Sequence, residues 1–333
     1  MKMNRLLLVA LIATGVFTSC TNDVVEHTMK EKAEVSFRLQ GGMPDITTRS
    51  LATTINTINA FVVFGTDNVL GVSNDLIFDG VTVAREFGTS NFTYTPKRYY
   101  SDGATSAIFF ALSPVSASVT NHDVSSMMSG ASFDYTVPKP NDTGDAVQED
   151  FLIAEAVVIP STTPVSLEFK HALSRIFVTA TNSTDDPVII NELILSNLYS
   201  SGTMVMDNTG NWSWNNHNDL TDYEYVLAPS GVVVPGNTTT KTLVTSMEQG
   251  MMVLPQVTQN TNNDDIQDTN DFALVVNYHF ANIGAHTKNI LIGDLFEFEY
   301  NKQYVINIDF KGQAIEFTIT VTHFDDPVEV TYP

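Results

Sequence analysis

Cys20 is the one thiol in the sequence, and it stands at the end of a short apolar run. Lys2 and Arg5 precede Leu6–Phe17, a stretch with the form of a secretion signal and too short to span a bilayer comfortably. Thr18-Ser19-Cys20 then sets small residues before a thiol, as a bacterial lipobox does, loosened here by Phe17 and Thr18. Cleavage ahead of Cys20 exposes it for acylation, so the chemistry expected is attachment to lipid. Without a second cysteine there is no intrachain disulfide.

The other reactive side chains do not assemble into a catalytic pattern. The seven histidines are His27, His122, His171, His217, His279, His286 and His323. None belongs to an HExxH motif or a strong metal-ligand spacing. His171 lies beside apolar strand residues and reads as a hydrogen-bonded structural histidine. A GxSxG elbow, a P-loop and a dinucleotide glycine pattern are all missing from the sequence, so acyl transfer and nucleotide chemistry have no support. Asp142 with Asp145, and Asp264, Asp265, Asp268 and Asp271, offer hard oxygens of the kind Ca²⁺ takes, but neither loop follows the twelve-residue calcium pattern. They read as solvated acidic turns. No metal, cofactor or catalytic residue is expected. Trp212 and Trp214, at i and i+2 of a strand, point to one side. Core packing is favoured over a carbohydrate-binding platform.

The elements that would position these residues are strands. Short alternating or apolar runs, punctuated by Gly, Pro, Asn and Asp, recur along the 333 residues. Examples are Phe61–Phe64, Ala107–Leu112, Val165–Phe169, Ile176–Ala180, Phe272–Tyr278, Tyr304–Phe310 and Ile315–Val321. Residues 115–132 read as a loop or a short helix, and a strand run at 188–195 is followed by Ser201-Gly202-Thr203. Long helices are not expected, so the fold class is all-β, built from β-sandwiches. The strongest interior punctuation is Thr181–Pro187, which divides the chain into domains at 34–183 and 184–333. A net charge of −22 excludes nucleic acid as a partner.

The two ends carry a further pattern. After a signal at 1–20 and a polar tether, Val35, Phe37 and Leu39 share one face of a lone strand, which Gly41-Gly42 and Pro44 terminate. Arg49-Ser50 follows in an open loop. At the far end, Val328, Val330 and Tyr332 alternate, as do Ile319 and Val321 before them. If cutting after Arg49 lets the segment 21–49 depart with its strand, the slot left behind presents unpaired backbone groups and an apolar floor. The tail 315–333 of another copy has the period to fill it, and such unlike-surface contacts build a filament.

These residues resemble the fimbrillins of Bacteroidales, including the Mfa-like lipoproteins of type V pili. The likeness rests on the start at Cys20; on Phe92-Thr-Tyr-Thr-Pro96 followed by Ile108-Phe-Phe-Ala-Leu-Ser-Pro114; on Leu167-Glu-Phe-Lys-His-Ala-Leu-Ser-Arg-Ile176; on Met252-Val-Leu-Pro-Gln256; and on the Tyr304–Phe310 strand. Together they span nearly the whole chain, and Phe169-Lys-His-Ala-Leu-Ser-Arg175 is the most specific. The resemblance implies two tandem transthyretin-like Greek-key β-sandwich domains and export as an outer-membrane lipoprotein through Cys20. It implies maturation by an arginine-specific protease at Arg49, and a donor strand within 315–333 that fills a neighbour. Partners would be further copies of this chain and related anchor and tip subunits. The cleavage arginine and the strand-like tail fit a stalk subunit that contributes to adhesion. Two rivals remain: a non-polymerising carbohydrate-binding surface lipoprotein, and a secreted β-sandwich hydrolase.

Overall fold

The computed structural model describes residues 32–40, 58–115, 119–124, 127, 130–139, 148, 150–207, 211–227, 230–245, 250–258, 271–280, 285–291, 297–311 and 314–323. Every regular element among them is a β-strand.

A six-stranded antiparallel sheet dominates the first half. Its order is Lys170–His171, Leu152–Val158, Ala104–Ser113, Ala60–Val69, Val72–Arg85 and Phe92–Thr93. The run Ala107-Ile-Phe-Phe-Ala-Leu112 shows no alternation because both of its faces are covered, and all six side chains are buried. Phe61, Val63, Phe109 and Ala111 face one apolar cluster. Phe64, Ile108, Phe110 and Leu112 face the other, larger one. Gly65 is required where it stands, since a Cβ there would lie 2.4 Å from the Phe109 ring. Across the first face lies a small parallel pair, Phe37–Leu39 against Val165–Leu167.

Two further sheets enclose the larger cluster. One runs Thr238–Leu243, Ser174–Asn182, Lys302–Lys311, Ala314–His323, with Met251–Val253 also paired to Ser174–Asn182. Its inner pair, Ser174–Asn182 with Lys302–Lys311, is parallel. The other is organised by the twenty-residue strand Val188–Asp207. That strand pairs with Trp212–Val226 and Val232–Val234, and with Ala273–Phe280 and Gly130–Thr136. Ala285–Leu291 and Val119–Asp123 extend the sheet.

Thr181–Pro187 contains the expected break, a bend between two strands. The pairings cross it, however. Ser174–Asn182 lies in a sheet with strands from the second half, and Gly130–Thr136 pairs with Val188–Asp207. Val119–Asp123, inside the stretch expected as loop or helix, is a strand. Its pairing with Gly130–Thr136 satisfies its backbone, which outweighs its weak apolar pattern.

Candidate functional site

The segment Lys32–Gln40 is held as an insert. Its backbone bonds in two directions. On one side Val35 N–H donates to Arg98 O (3.0 Å) and Tyr100 N–H to Ala33 O (3.1 Å). On the other, Val165 N–H donates to Ser36 O (2.7 Å) and Gln40 N–H to Leu167 O (2.8 Å). At its exposed surface Lys97 pairs with Glu34 (2.6 Å), and the Arg38 guanidinium donates to Ser166 Oγ (2.6 Å).

Alternation turns Val35, Phe37 and Leu39 inward. Val35 is 0% and Phe37 4% exposed, and Leu39 is half-buried against the same cluster. The Phe37 ring sits in a cage of four others: Phe78 at 5.3 Å, Phe109 at 5.6 Å, and Phe61 and Tyr94 at 6.2 Å between centroids. All four contacts are edge-to-face, the geometry aromatic quadrupoles favour. Burying a side chain of this size contributes about 1.5–3 kcal/mol. An empty slot would therefore expose four rings and two rows of unpaired backbone groups at Arg98–Tyr100 and Val165–Leu167.

Tyr94 also closes the site from one side, its hydroxyl donating to Val35 O. Burial pushes its pKa up to about 12, because a phenolate is poorly solvated there. A raised folded-state pKa means the contribution is fully present below the unfolded value of 10.0 and is lost as pH climbs through about 12. Replacing Tyr94 with phenylalanine is expected to cost about 1–2 kcal/mol at neutral pH, by leaving the Val35 carbonyl without its hydroxyl donor. It should also reduce the alkaline loss of stability. Urea unfolding at neutral and alkaline pH measures both effects.

The segment Leu167–Ile176 ties this slot to the rest of the molecule. Leu167 lines the slot's edge and Phe169 packs on Phe61 (5.6 Å). His171, 0% exposed, meets the Asp150 carboxylate within 2.9 Å, so it is a hydrogen-bonded structural histidine. Ala172 O accepts from the Trp214 indole (2.9 Å), and Ser174 Oγ donates to Glu299 O (2.8 Å). Arg175, 1% exposed, donates to Gln303 Oε1 (2.7 Å) and lies over the Phe177 ring. The Phe169-Lys-His-Ala-Leu-Ser-Arg175 run is thus a structural hub.

Ala314–His323 is an edge strand, in antiparallel register with Lys302–Lys311 from Lys302↔His323 to Lys311↔Ala314. Ile315, Phe317 and Ile319 rest half-buried on the larger cluster, and Val321 is 48% exposed. Among the described residues no strand pairs with its outer edge. Cys20, Arg49, Ser50, Val328, Val330 and Tyr332 lie outside the described residues. Trp212 and Trp214 face inward, Trp212 meeting Phe110 edge-on at 6.0 Å and Trp214 bonding as above. Among the described residues no group of three or more His, Cys, Asp or Glu is placed to hold a metal. Sequence reasoning did not anticipate that Phe61, Phe78, Tyr94 and Phe109 would close on Phe37. The runs Phe61–Phe64 and Ala107–Leu112 and the alternation of Phe92 with Tyr94 mark strands, but none of them names a partner.

Stacked sheets that receive a short strand from near the amino end define a β-sandwich protein built of interlocked segments. A family model described as fimbrillin-like matches residues 48–323, and the chain belongs to that family. Its fold is shared with a fimbrial protein from Bacteroides vulgatus, 13% identical over 87% of this chain and 99% of that one, with a TM-score of 0.60. A candidate cell adhesion protein from Bacteroides ovatus is 14% identical over 90% of this chain and 98% of its own, with a TM-score of 0.52. Another from Bacteroides uniformis is 16% identical over 87% and 98%, with a TM-score of 0.50. No curated protein matches the sequence.

Proposed function

We propose that this chain is a structural pilin, a stalk subunit of a surface fimbria. It is exported as an outer-membrane lipoprotein acylated at Cys20 and cut after Arg49 by an arginine-specific protease. Loss of Lys32–Gln40 then opens the slot, and the tail 315–333 of a neighbouring copy enters it. Related anchor and tip subunits complete the fibre, which contributes to adhesion. In this reading the sheets form two tandem transthyretin-like Greek-key sandwiches, 34–183 and 184–333.

One observation carries this reading. Val35 and Phe37 are sealed in an apolar cage, yet they belong to a short segment near the amino end whose backbone neighbours are two short stretches rather than the six-stranded sheet. The arginines add support. Of the six, Arg5 lies in the signal, Arg38 is paired within the insert, Arg85 and Arg98 are half-buried, and Arg175 is buried. Arg49 remains as the natural target. Both indoles of Trp212 and Trp214 are engaged with the core, which weighs against the sugar-platform alternative.

The test is to treat purified precursor with an arginine-specific protease, sequence the new amino terminus and run the product in SDS without boiling. A start at Ser50 with a ladder of multimers is expected, and deleting 315–333 should abolish the ladder. Processing at Arg49 that yields monomers at every concentration would overturn the reading.

A further inference from the structure

The sequence holds a second copy of the insert's apolar pattern. Val35-Ser-Phe-Arg-Leu39 in the slot and Ile315-Glu-Phe-Thr-Ile319 in the edge strand share one arrangement: a β-branched residue, phenylalanine and an aliphatic residue at alternate positions. We infer that strand exchange, if it occurs as proposed above, sets Ile315, Phe317 and Ile319 of a second copy in the places of Val35, Phe37 and Leu39, with Phe317 in the four-ring cage.

The cage decides the register. Its four rings close edge-on around a phenyl group. Val330, the centre of the Val328-Val330-Tyr332 triplet, is short of a ring and leaves a void among them. Shifting that triplet to centre Tyr332 brings a hydroxyl into an apolar cage, where it must find a partner. Phe317 meets neither difficulty.

Among the described residues the strand is held on one side only. It lies at a sheet edge, and none of its residues is buried. Its neighbour Lys302–Lys311 keeps Ser174–Asn182 on the other side. Transfer takes three half-buried apolar side chains to a site where Val35 and Phe37 are almost fully enclosed. Keeping the direction of the original strand, Thr318 takes the place of Arg38 beside Ser166, where its hydroxyl can replace the guanidinium bond. Glu316 gives up its ion pair with Lys311 (2.7 Å) and comes to the outward face near Lys97, which loses Glu34 when the insert leaves.

Cysteine pairs read the register directly. The native thiol at Cys20 departs with the cleaved segment, so the mature chain has none. Arg38 and Ser166 are Cα partners across the slot. Adjacent strands about 4.7–4.9 Å apart lie within disulfide reach. Full-length chain carrying Ser166→Cys and Thr318→Cys is processed at Arg49, oxidised and boiled in SDS. The expected result is a covalent ladder that reduction collapses, while Ser166→Cys with Thr331→Cys gives none. A ladder from the Thr331 pair in place of the Thr318 pair would overturn the register. So would the absence of either covalent ladder when the unaltered chain multimerises. If the unaltered processed chain forms no multimers, strand exchange itself fails and the register falls with it.

Discussion

Replacing Arg49 with lysine is expected to leave the chain monomeric after exposure to an arginine-specific protease, under conditions where the unaltered chain forms multimers. Arginine and lysine carry the same charge, but only the planar guanidinium fork satisfies a pocket built for arginine. The consequence of a missing cut is close to all-or-none. While Lys32–Gln40 remains joined to the chain, it competes for the slot at an effective concentration in the millimolar range. A donor strand from another copy arrives at the bulk protein concentration and loses by about a thousandfold or more at micromolar levels. Cutting ends this advantage, because a released segment diffuses away once it dissociates. Brief trypsin treatment cleaves after lysine as well, so it should restore multimers in Arg49→Lys. Recovery with trypsin assigns the defect to the missing cut; monomers after confirmed cleavage of that variant at position 49 would assign it elsewhere and sink the idea that the cut releases a competitor. The remaining arginines make a substitute site unfavourable. Arg175 lies in the core bonded to Gln303, and Arg85 is half-buried and bonds to Ile58 O.

Much of the fold could be read from local pattern, and the gaps have physical causes. Alternation at Val35, Phe37 and Leu39 identifies an inward face; the structure buries Val35 and Phe37 and leaves Leu39 half-buried against the same cluster. That Phe37 sits among Phe61, Phe78, Tyr94 and Phe109 could not be read, since period-two patterns give a face without naming the surface opposite. The tryptophans illustrate the same limit. Their spacing puts both on one side, but Ala172 O and Phe110, remote in sequence, determine that this side is the core. The local pattern marks a strand run only over 188–195, yet the strand Val188–Asp207 continues through Ser201-Gly202-Thr203 with a register shift. A Cβ on Gly202 would lie 3.3 Å from Asn215 O, so the glycine marks a close approach at a bulge. The bond from Arg175 to Gln303 belongs to a parallel pairing, and no local signal specifies which distant strand will be the neighbour.

The second large effect separates an insert that leaves from one that stays. Phe37→Ala in the uncut precursor is expected to lower unfolding free energy by about 3–5 kcal/mol, the cost of emptying a well-packed aromatic site. Against a typical total of about 5–15 kcal/mol this is severe, and it should appear as a marked drop in the urea midpoint. The mature multimer should resist SDS as the unaltered one does, because residue 37 departs with the cleaved segment. Phe109→Ala behaves differently. That ring is fully buried, remains in the subunit, and contacts whatever side chain occupies the slot. Its loss should weaken precursor and multimer alike. The comparison cancels general damage to the sandwich, since both substitutions remove one ring from the same contact (5.6 Å between centroids). A Phe37→Ala multimer weakened to the same degree as its precursor would mean that the strand never left the slot. The contacts between subunits would then have to be sought on other surfaces, beginning with the outer edge of Ala314–His323, which no strand covers among the described residues.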